Sequence, residues 1–198
     1  GGGGRTTEKL AELVDNAQSS IVIQSPYLVM SSAAKKLFKR AIDRGVHVRI
    51  NTNSLAATDN LMAFSGYRNQ RDDLIKMGVD IYEFKPNPAV SKQLMRDALA
   101  ENKEPPIFAI HAKTMVVDTQ TVYIGTFNFD PRSENLNTEV GVIAQDAELA
   151  KKVESFITTD MLPENSWEAK TEYADRVAPF SKRAKVVLFQ LMPIKPLL

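Results

Sequence analysis

Cysteine is absent from this 198-residue chain, so neither a disulfide framework nor a thiolate metal site can hold it together. An excess of either charge is missing too: 25 Lys and Arg against 24 Asp and Glu leave a formal charge of +1. Nucleic-acid binders commonly carry a basic excess, so no nucleic-acid partner is expected from this balance. No run reaches the roughly 18 to 20 consecutive apolar residues of a membrane-spanning helix, no secretory pattern opens the sequence, and no internal repeat is evident. What is present is 43% hydrophobic residues, enough to bury the core of one domain. Gly1 to Gly4 read as a linker or tag remnant, because a phosphate-cradling glycine loop would follow a strand.

Hydrophobic periodicity then alternates along the chain. Leu10, Leu13, Val14 and Ala17 recur at helical spacing, and Ile21 to Gln24 is a short buried strand running into Ser25-Pro26-Tyr27. Ser31 or Ser32 can cap a helix with Ala34, Leu37, Phe38, Ala41 and Ile42 on its apolar face, ended by Gly45. Val46 to Asn51 is a strand, a helix lies within Asp59 to Met77 with Gly78 as its stop, and Val79 to Phe84 is the next strand. The Pro-, Lys-, Asn- and Glu-rich stretch Lys85 to Pro106 reads as a surface connection with a short helix around Gln93 to Ala100. Strands are predicted at Ile107 to Val117, Val122 to Phe127 and Thr138 to Ala144, with a loop at Asp130 to Leu136 and a helix from Ala147 to Ile157. Val186 to Met192 packs as a final helix, with membrane-surface contact as the lesser reading. The expected class is α/β, a mixed β-sheet flanked by helices on both faces. Residues 5–160 form the main unit, and 161–198 a carboxy-terminal extension packing on it.

The chemistry concentrates between Ile110 and Asn128. His111 and Lys113 are two apart in an apolar, β-branched stretch, so strand alternation turns both to one face. Thr126 and Asn128, again two apart, offer a hydroxyl and an amide. An imidazole, a fixed cation and two neutral hydrogen-bonding groups suit a phosphoryl group in a crowded, charged transition state. A lone His in an apolar strand is more often a satisfied core residue, and His47 in G-V-H-V-R-I is read that way. Asp118 lies an odd number of positions from His111, which puts it on the opposite face as a turn or ion-pair residue that shapes the site. Arg132 and Ser133 reach a phosphate or fix their loop. Tyr27 lines a groove or belongs to the core, and Asn51 to Asn60 is a binding loop at a strand end or an ordinary helix entry.

The spacing H-x-K-x4-D followed by G-T-x-N resembles the signature of the phospholipase D superfamily. His111, Lys113 and Asp118 fill its named positions, and Gly125, Thr126 and Asn128 the run that follows. Thr126 stands where members usually carry Ser, which keeps the hydroxyl but adds a methyl. The resemblance implies that Glu139, in N-T-E-V-G-V, hydrogen-bonds the catalytic imidazole and sets its tautomer. The segments S-P-Y-L, N-T-N-S-L-A-A-T-D, G-V-D-I-Y-E-F, H-A-K-T-M-V-V-D, I-G-T-F-N-F-D-P-R-S and L-N-T-E-V-G-V are similar to the carboxy-terminal half of bacterial cardiolipin synthases of the C type.

That likeness implies phosphatidyl transfer between phospholipids through a phosphohistidine, without redox cofactor or metal, by two histidines from facing half-motifs. Catalytic roles fall to His111, Lys113, Asp118 and Glu139, and substrate binding to Thr126, Asn128 and Arg132. His111 is assigned general acid and base, with nucleophile as the alternative. Only one half-motif is present. The second is expected upstream on a longer native chain or, alternatively, on a second copy of this one. Phospholipids, a membrane surface and that second half are the expected partners, and the location is peripheral on a bacterial membrane, with the inner membrane favoured. A homodimeric nuclease or phosphodiesterase and an inactive structural module are the competing classes.

Overall fold

The computed structural model describes residues 4–91 and 107–191. In chain order these form α1 (Arg5–Asn16), β1 (Ser20–Gln24), α2 (Ser32–Asp43), β2 (His47–Asn53), α3 (Leu61–Arg68), α4 (Arg71–Met77), β3 (Val79–Phe84), β4 (Thr114–Val117), β5 (Thr121–Gly125), α5 (Pro131–Asn135), β6 (Gly141–Gln145), α6 (Ala147–Asp160), β7 (Ser166–Glu168), a 3₁₀ turn at Ala174–Val177, and α7 (Phe180–Gln190). The sheet has seven strands in the order β6-β5-β4-β1-β2-β3-β7. β1, β2 and β3 run parallel, while β4, β5, β6 and β7 join antiparallel to their neighbours.

Both faces are covered because the inner strands are apolar on both sides. Ile21 and Ile23 of β1 face Leu10, Val14, Phe38 and Ala41 of α1 and α2. Val22 turns the other way and joins Val116 and Val122 against Ala150 and Ile157 of α6 and Met161 at its end. Such two-sided burial is what a run of consecutive branched residues demands in a central strand. Ser31 caps α2 by accepting from the Ala34 N–H at 3.0 Å, and Gly45 and Gly78, at φ of 93° and 107°, terminate α2 and α4 in the left-handed region.

Several elements differ from the sequence reading. The single helix expected within Asp59 to Met77 is two, broken at Asn69 and Gln70. The restart at Arg71 turns that side chain inward, where its guanidinium meets Glu83 at 2.9 Å and Asp175 at 3.1 Å. Tyr67 donates to the same Glu83 carboxylate at 2.8 Å. This buried network ties the segment after α6 to the parallel strands, and β7 extends the same sheet. The loop at Asp130 to Leu136 contains α5, capped by Asp130 accepting from Ser133 N–H at 2.7 Å. The final helix begins at Phe180, earlier than expected, and the short helix expected at 93–100 lies outside the described residues.

The long strand expected at Ile107 to Val117 is a strand only from Thr114. Residues 107–113 are outside any ladder, because the backbone there is satisfied by other groups: Phe108 N–H by Pro86 O at 2.9 Å, and Ile110 by the Asn53 side chain. His47 is also corrected. It is an exposed residue at the start of β2, with Nε2 2.7 Å from Asp80 Oδ2, rather than part of the core.

Asp118 lies at the far end of β4 from Lys113. It and Thr119 occupy the left-handed region, at φ of 54° and 53°, in the β4–β5 turn closed by Gln120 N–H to Val117 O. Its carboxylate accepts from the N–H groups of Gln18, Ser19 and Ser20 at 2.7–2.9 Å and from the Ser19 hydroxyl at 2.9 Å. In the structure Asp118 pins the α1–β1 connection to the hairpin, the turn role its odd spacing from His111 suggested. Burial opposes the charged form, but the donated hydrogen bonds from Ser20, Gln18 and Ser19 outweigh it and hold the carboxyl below its ordinary range.

A carboxyl depressed on folding stabilises the chain above its unfolded pKa and loses that contribution as pH falls through the folded one. Asp118→Asn is expected to lower stability at neutral pH by about 1–2 kcal/mol, after discounting for solvent. In urea titrations the gap to wild type should close as the solution is acidified. Equal stability at neutral pH would contradict this role.

Candidate active site

The carboxyl ends of β1, β2 and β3, the start of β4, the end of β5 and the approach to β6 all lie at one edge of the sheet, as the strand directions require. Ligands in open α/β sheets bind outside such an edge. His111, Lys113, Thr126, Asn128 and Glu139 are all gathered there. Arg132 joins through Asn137, while Asp118 is at the opposite end of its strand.

His111 is placed by its neighbour. The buried amide of Asn53, the last residue of β2, accepts from Ile110 N–H at 2.8 Å and donates to Ile110 O at 3.0 Å. Both backbone polar groups of the preceding residue are thus fixed by one side chain, and the His111 side chain emerges exposed immediately after it. Among the described residues nothing is hydrogen-bonded to its imidazole. Lys113 is half-buried, its Nζ donating to His111 O at 2.9 Å, and Gly125 N–H donates to Lys113 O at 3.1 Å to join this segment to β5.

Burial pushes the Lys113 ammonium below the ordinary lysine range, against the pull of Glu139, Asp59 and Asp130. None of those carboxylates lies within ion-pair distance, and no described acid does. Its charge is screened by acids around it but bound to none, which leaves it able to take an incoming anion.

Glu139 departs from its expected role. Its Oε2 accepts from the Thr126 hydroxyl and its Oε1 from Asn137 Nδ2 at 3.2 Å, so it holds the neighbouring strand rather than the imidazole. Thr126 in turn accepts from Val140 N–H at 3.0 Å. Arg132 Nε donates to Asn137 Oδ1 at 3.2 Å, which makes it a support for the Glu139 segment. Ser133 fixes its loop, accepting from Asn128 N–H at 3.2 Å.

The Asn128 side-chain oxygen is buried without a partner among the described residues. The two ends of an amide are assigned by their hydrogen bonds; turned about, the unpartnered end is an NH₂ donor. A buried amide atom without a partner is rare enough to require a reason, and a ligand oxygen would supply one.

Glycine in G-T-x-N has a steric cause here. Gly125 and Gly141 are cross-strand partners, and the Tyr123 ring lies across both, where a Cβ on either would overlap it.

Two residues were not legible as site members. Asn53 falls in the polar stretch flagged after β2, but its distant partner Ile110 gives no local signal. Asp59, in the same stretch, accepts from the Tyr27 hydroxyl at 3.1 Å and acts on Lys113 and Lys182. Tyr27 is accordingly half-buried at the site edge. Its phenol is raised above the ordinary range by burial first and by Asp59 second.

Residues 10–161 match the family described as "Cardiolipin synthase, PLD-like domain". Cardiolipin synthase C of Escherichia coli (strain K12) is 34% identical over 179 residues, which are 90% of this chain and 37% of that protein. The chain therefore spans little more than a third of that curated relative. A phospholipase D family member, Nuc from Salmonella typhimurium, shares the fold with a TM-score of 0.58 at 21% identity, covering 82% of this chain and 90% of that one. Phosphatidylserine synthase of Haemophilus influenzae Rd KW20 shares it with a TM-score of 0.70 at 14% identity, covering 99% of this chain and 45% of that one.

Asn53→Ala removes both hydrogen bonds that fix Ile110 and leaves buried backbone groups unpaired. It is expected to cost about 2–4 kcal/mol of stability in denaturant titration. A loss below a tenth of that would show that other contacts set the position of His111.

Proposed function

The chain belongs to the cardiolipin synthase, PLD-like domain family, and from that membership we propose that it is one half of a phosphatidyltransferase that exchanges phosphodiesters between phospholipids through a phosphohistidine. The observation that carries the reading is the gathering at one sheet edge of an imidazole and an amide oxygen without hydrogen-bond partners, and a half-buried ammonium without an ion-pair partner, among the described residues. Each is a group that a phosphodiester can satisfy.

In the first step an imidazole nitrogen of the second half bonds to phosphorus while the head-group oxygen departs, taking its proton from His111. In the second, the acceptor lipid's glycerol hydroxyl gives its proton to His111, its oxygen bonds to phosphorus, and the phosphorus–nitrogen bond breaks. Lys113 and Asn128 hold the non-bridging oxygens, where charge accumulates. Glu139 and Thr126 position the strand that carries Asn128. No metal takes part in this reading.

The second imidazole must come from outside the chain. His47, the other histidine, is at the amino end of β2, whereas His111 adjoins the carboxyl end of that strand, roughly 20 Å away along seven residues. Beside Thr126 and Glu139, the apolar side chains of Leu136, Val140, Val142 and Ile124 are exposed, and Ile124 and Val142 are cross-strand partners next to the unpaired side of β6. An apolar rim of this kind beside an incomplete site suits a covering half, either upstream on a longer chain or a second copy.

The test is incubation of the complete protein with labelled phosphatidylglycerol and phosphatidylethanolamine, followed by lipid separation. Diphosphatidylglycerol is expected, and His111→Ala should abolish it with little change in fold. Free head group alone would replace transfer with hydrolysis, and full transfer by His111→Ala would reject the assignment.

Because Lys113 must be charged and its pKa is lowered, turnover should fall with rising pH below the ordinary lysine range. Lys113→Arg, which stays protonated, should be slower but lack that alkaline limb. A limb of unchanged position in the variant would assign it to another group.

A further inference from the structure

Helix α7 presents an apolar stripe to solvent. At about 100° per residue, Phe180, Ala184, Val187, Leu188 and Leu191 fall along one face. All are exposed, Phe180 at 77% and Leu191 at 80%. The opposite face packs on α3: Val186 is buried, Gln190 exchanges hydrogen bonds with Asn69 and Arg68, and Lys182 donates to Ala56 O and Thr58 O at 3.0 and 2.9 Å. Between the two faces, on either side, lie Arg183 and Lys185, both exposed. The helix has three cations and no acid, in a chain whose charges otherwise nearly cancel. Arg183 lies 5.8 Å from the Phe180 ring centroid, and Arg176, just before the helix, 5.4 Å from that of Tyr173.

A stripe of this width flanked by basic side chains fits the boundary of an anionic bilayer, with apolar groups among the acyl chains and cations at the phosphates. At eleven residues α7 is far too short to span one. We propose that α7 docks this domain on the surface of an anionic phospholipid membrane. The Lys182 anchor gives the placement a consequence. It grips the loop that carries Asp59, and Asp59 reaches Tyr27 and acts on Lys113, so α7 is tied to the loop at the margin of the site. The proposal extends the lipid-transfer reading by naming the surface on which the substrate is met.

Co-sedimentation of the chain with vesicles of phosphatidylglycerol and phosphatidylcholine, against phosphatidylcholine alone, tests it. Binding is expected to the anionic vesicles and to weaken with salt. Leu188→Ser with Leu191→Ser, and Arg183→Glu with Lys185→Glu, should each lower partition by about tenfold or more, with thermal midpoints unchanged because these side chains are exposed. Absence of anionic-vesicle binding, or variants that bind like wild type, would overturn the proposal. So would a dimer in light scattering that the stripe variants dissociate, since a second copy would then own the face. Turnover of detergent-dispersed lipid by the complete protein separates this from the functional reading. Turnover by the unsubstituted protein without anionic-vesicle binding rejects the docking alone, whereas α7-dependent binding without any turnover rejects the transferase alone.

Discussion

One buried amide fixes the position on which the chemistry depends. Asn53 closes on both backbone polar groups of Ile110, doing with a side chain what a neighbouring strand would otherwise do. A strand continued through His111 would alternate its side chains between the two covered faces of the sheet. Because the ladder instead begins at Thr114, the imidazole leaves the edge toward solvent and the ammonium stays half-buried beside it. The clamp also spans a long stretch of chain, joining the parallel half of the sheet to the antiparallel half at the edge where both present their ends.

Charge at the site is arranged to be incomplete. The Lys113 ammonium is partly desolvated and lies among Glu139, Asp59 and Asp130 without pairing to any of them, so its field is available to an anion at little cost in broken contacts. Elsewhere the fold does the opposite. Arg71 is buried and paired with both Glu83 and Asp175, a network that binds the carboxy-terminal segment to the sheet. Paired charge therefore serves the scaffold, and unpaired charge the site.

The grouping of His111, Lys113, Thr126 and Asn128 was legible from the motif and not from alternation, since all four lie just outside the strands β4 and β5, and the mixed sheet with helices on both faces followed from the pattern of apolar runs. What the spacing could not convey was the choice of hydrogen-bond partner. Glu139 meets Thr126 and Asn137 rather than the imidazole, and Asp118 serves three backbone N–H groups a hundred residues earlier in the chain. The segment at 107–113 is apolar enough to read as strand, yet its backbone is taken up by Pro86 and Asn53, which no local window contains. His47 read as core because its neighbours are apolar, but a strand's first residue projects beyond its cover.

The central claim is that His111, Lys113 and Asn128 converge on one phosphate-sized position. A nuclear magnetic resonance titration with inorganic phosphate measures it directly, following the imidazole C–H signals of both histidines and the side-chain NH₂ of Asn128. Convergence predicts that His111 and Asn128 shift together with a single dissociation constant while His47 stays still, and that Lys113→Met removes the response. Signals from His111 and Asn128 that move independently, or only as much as those of His47, would contradict it.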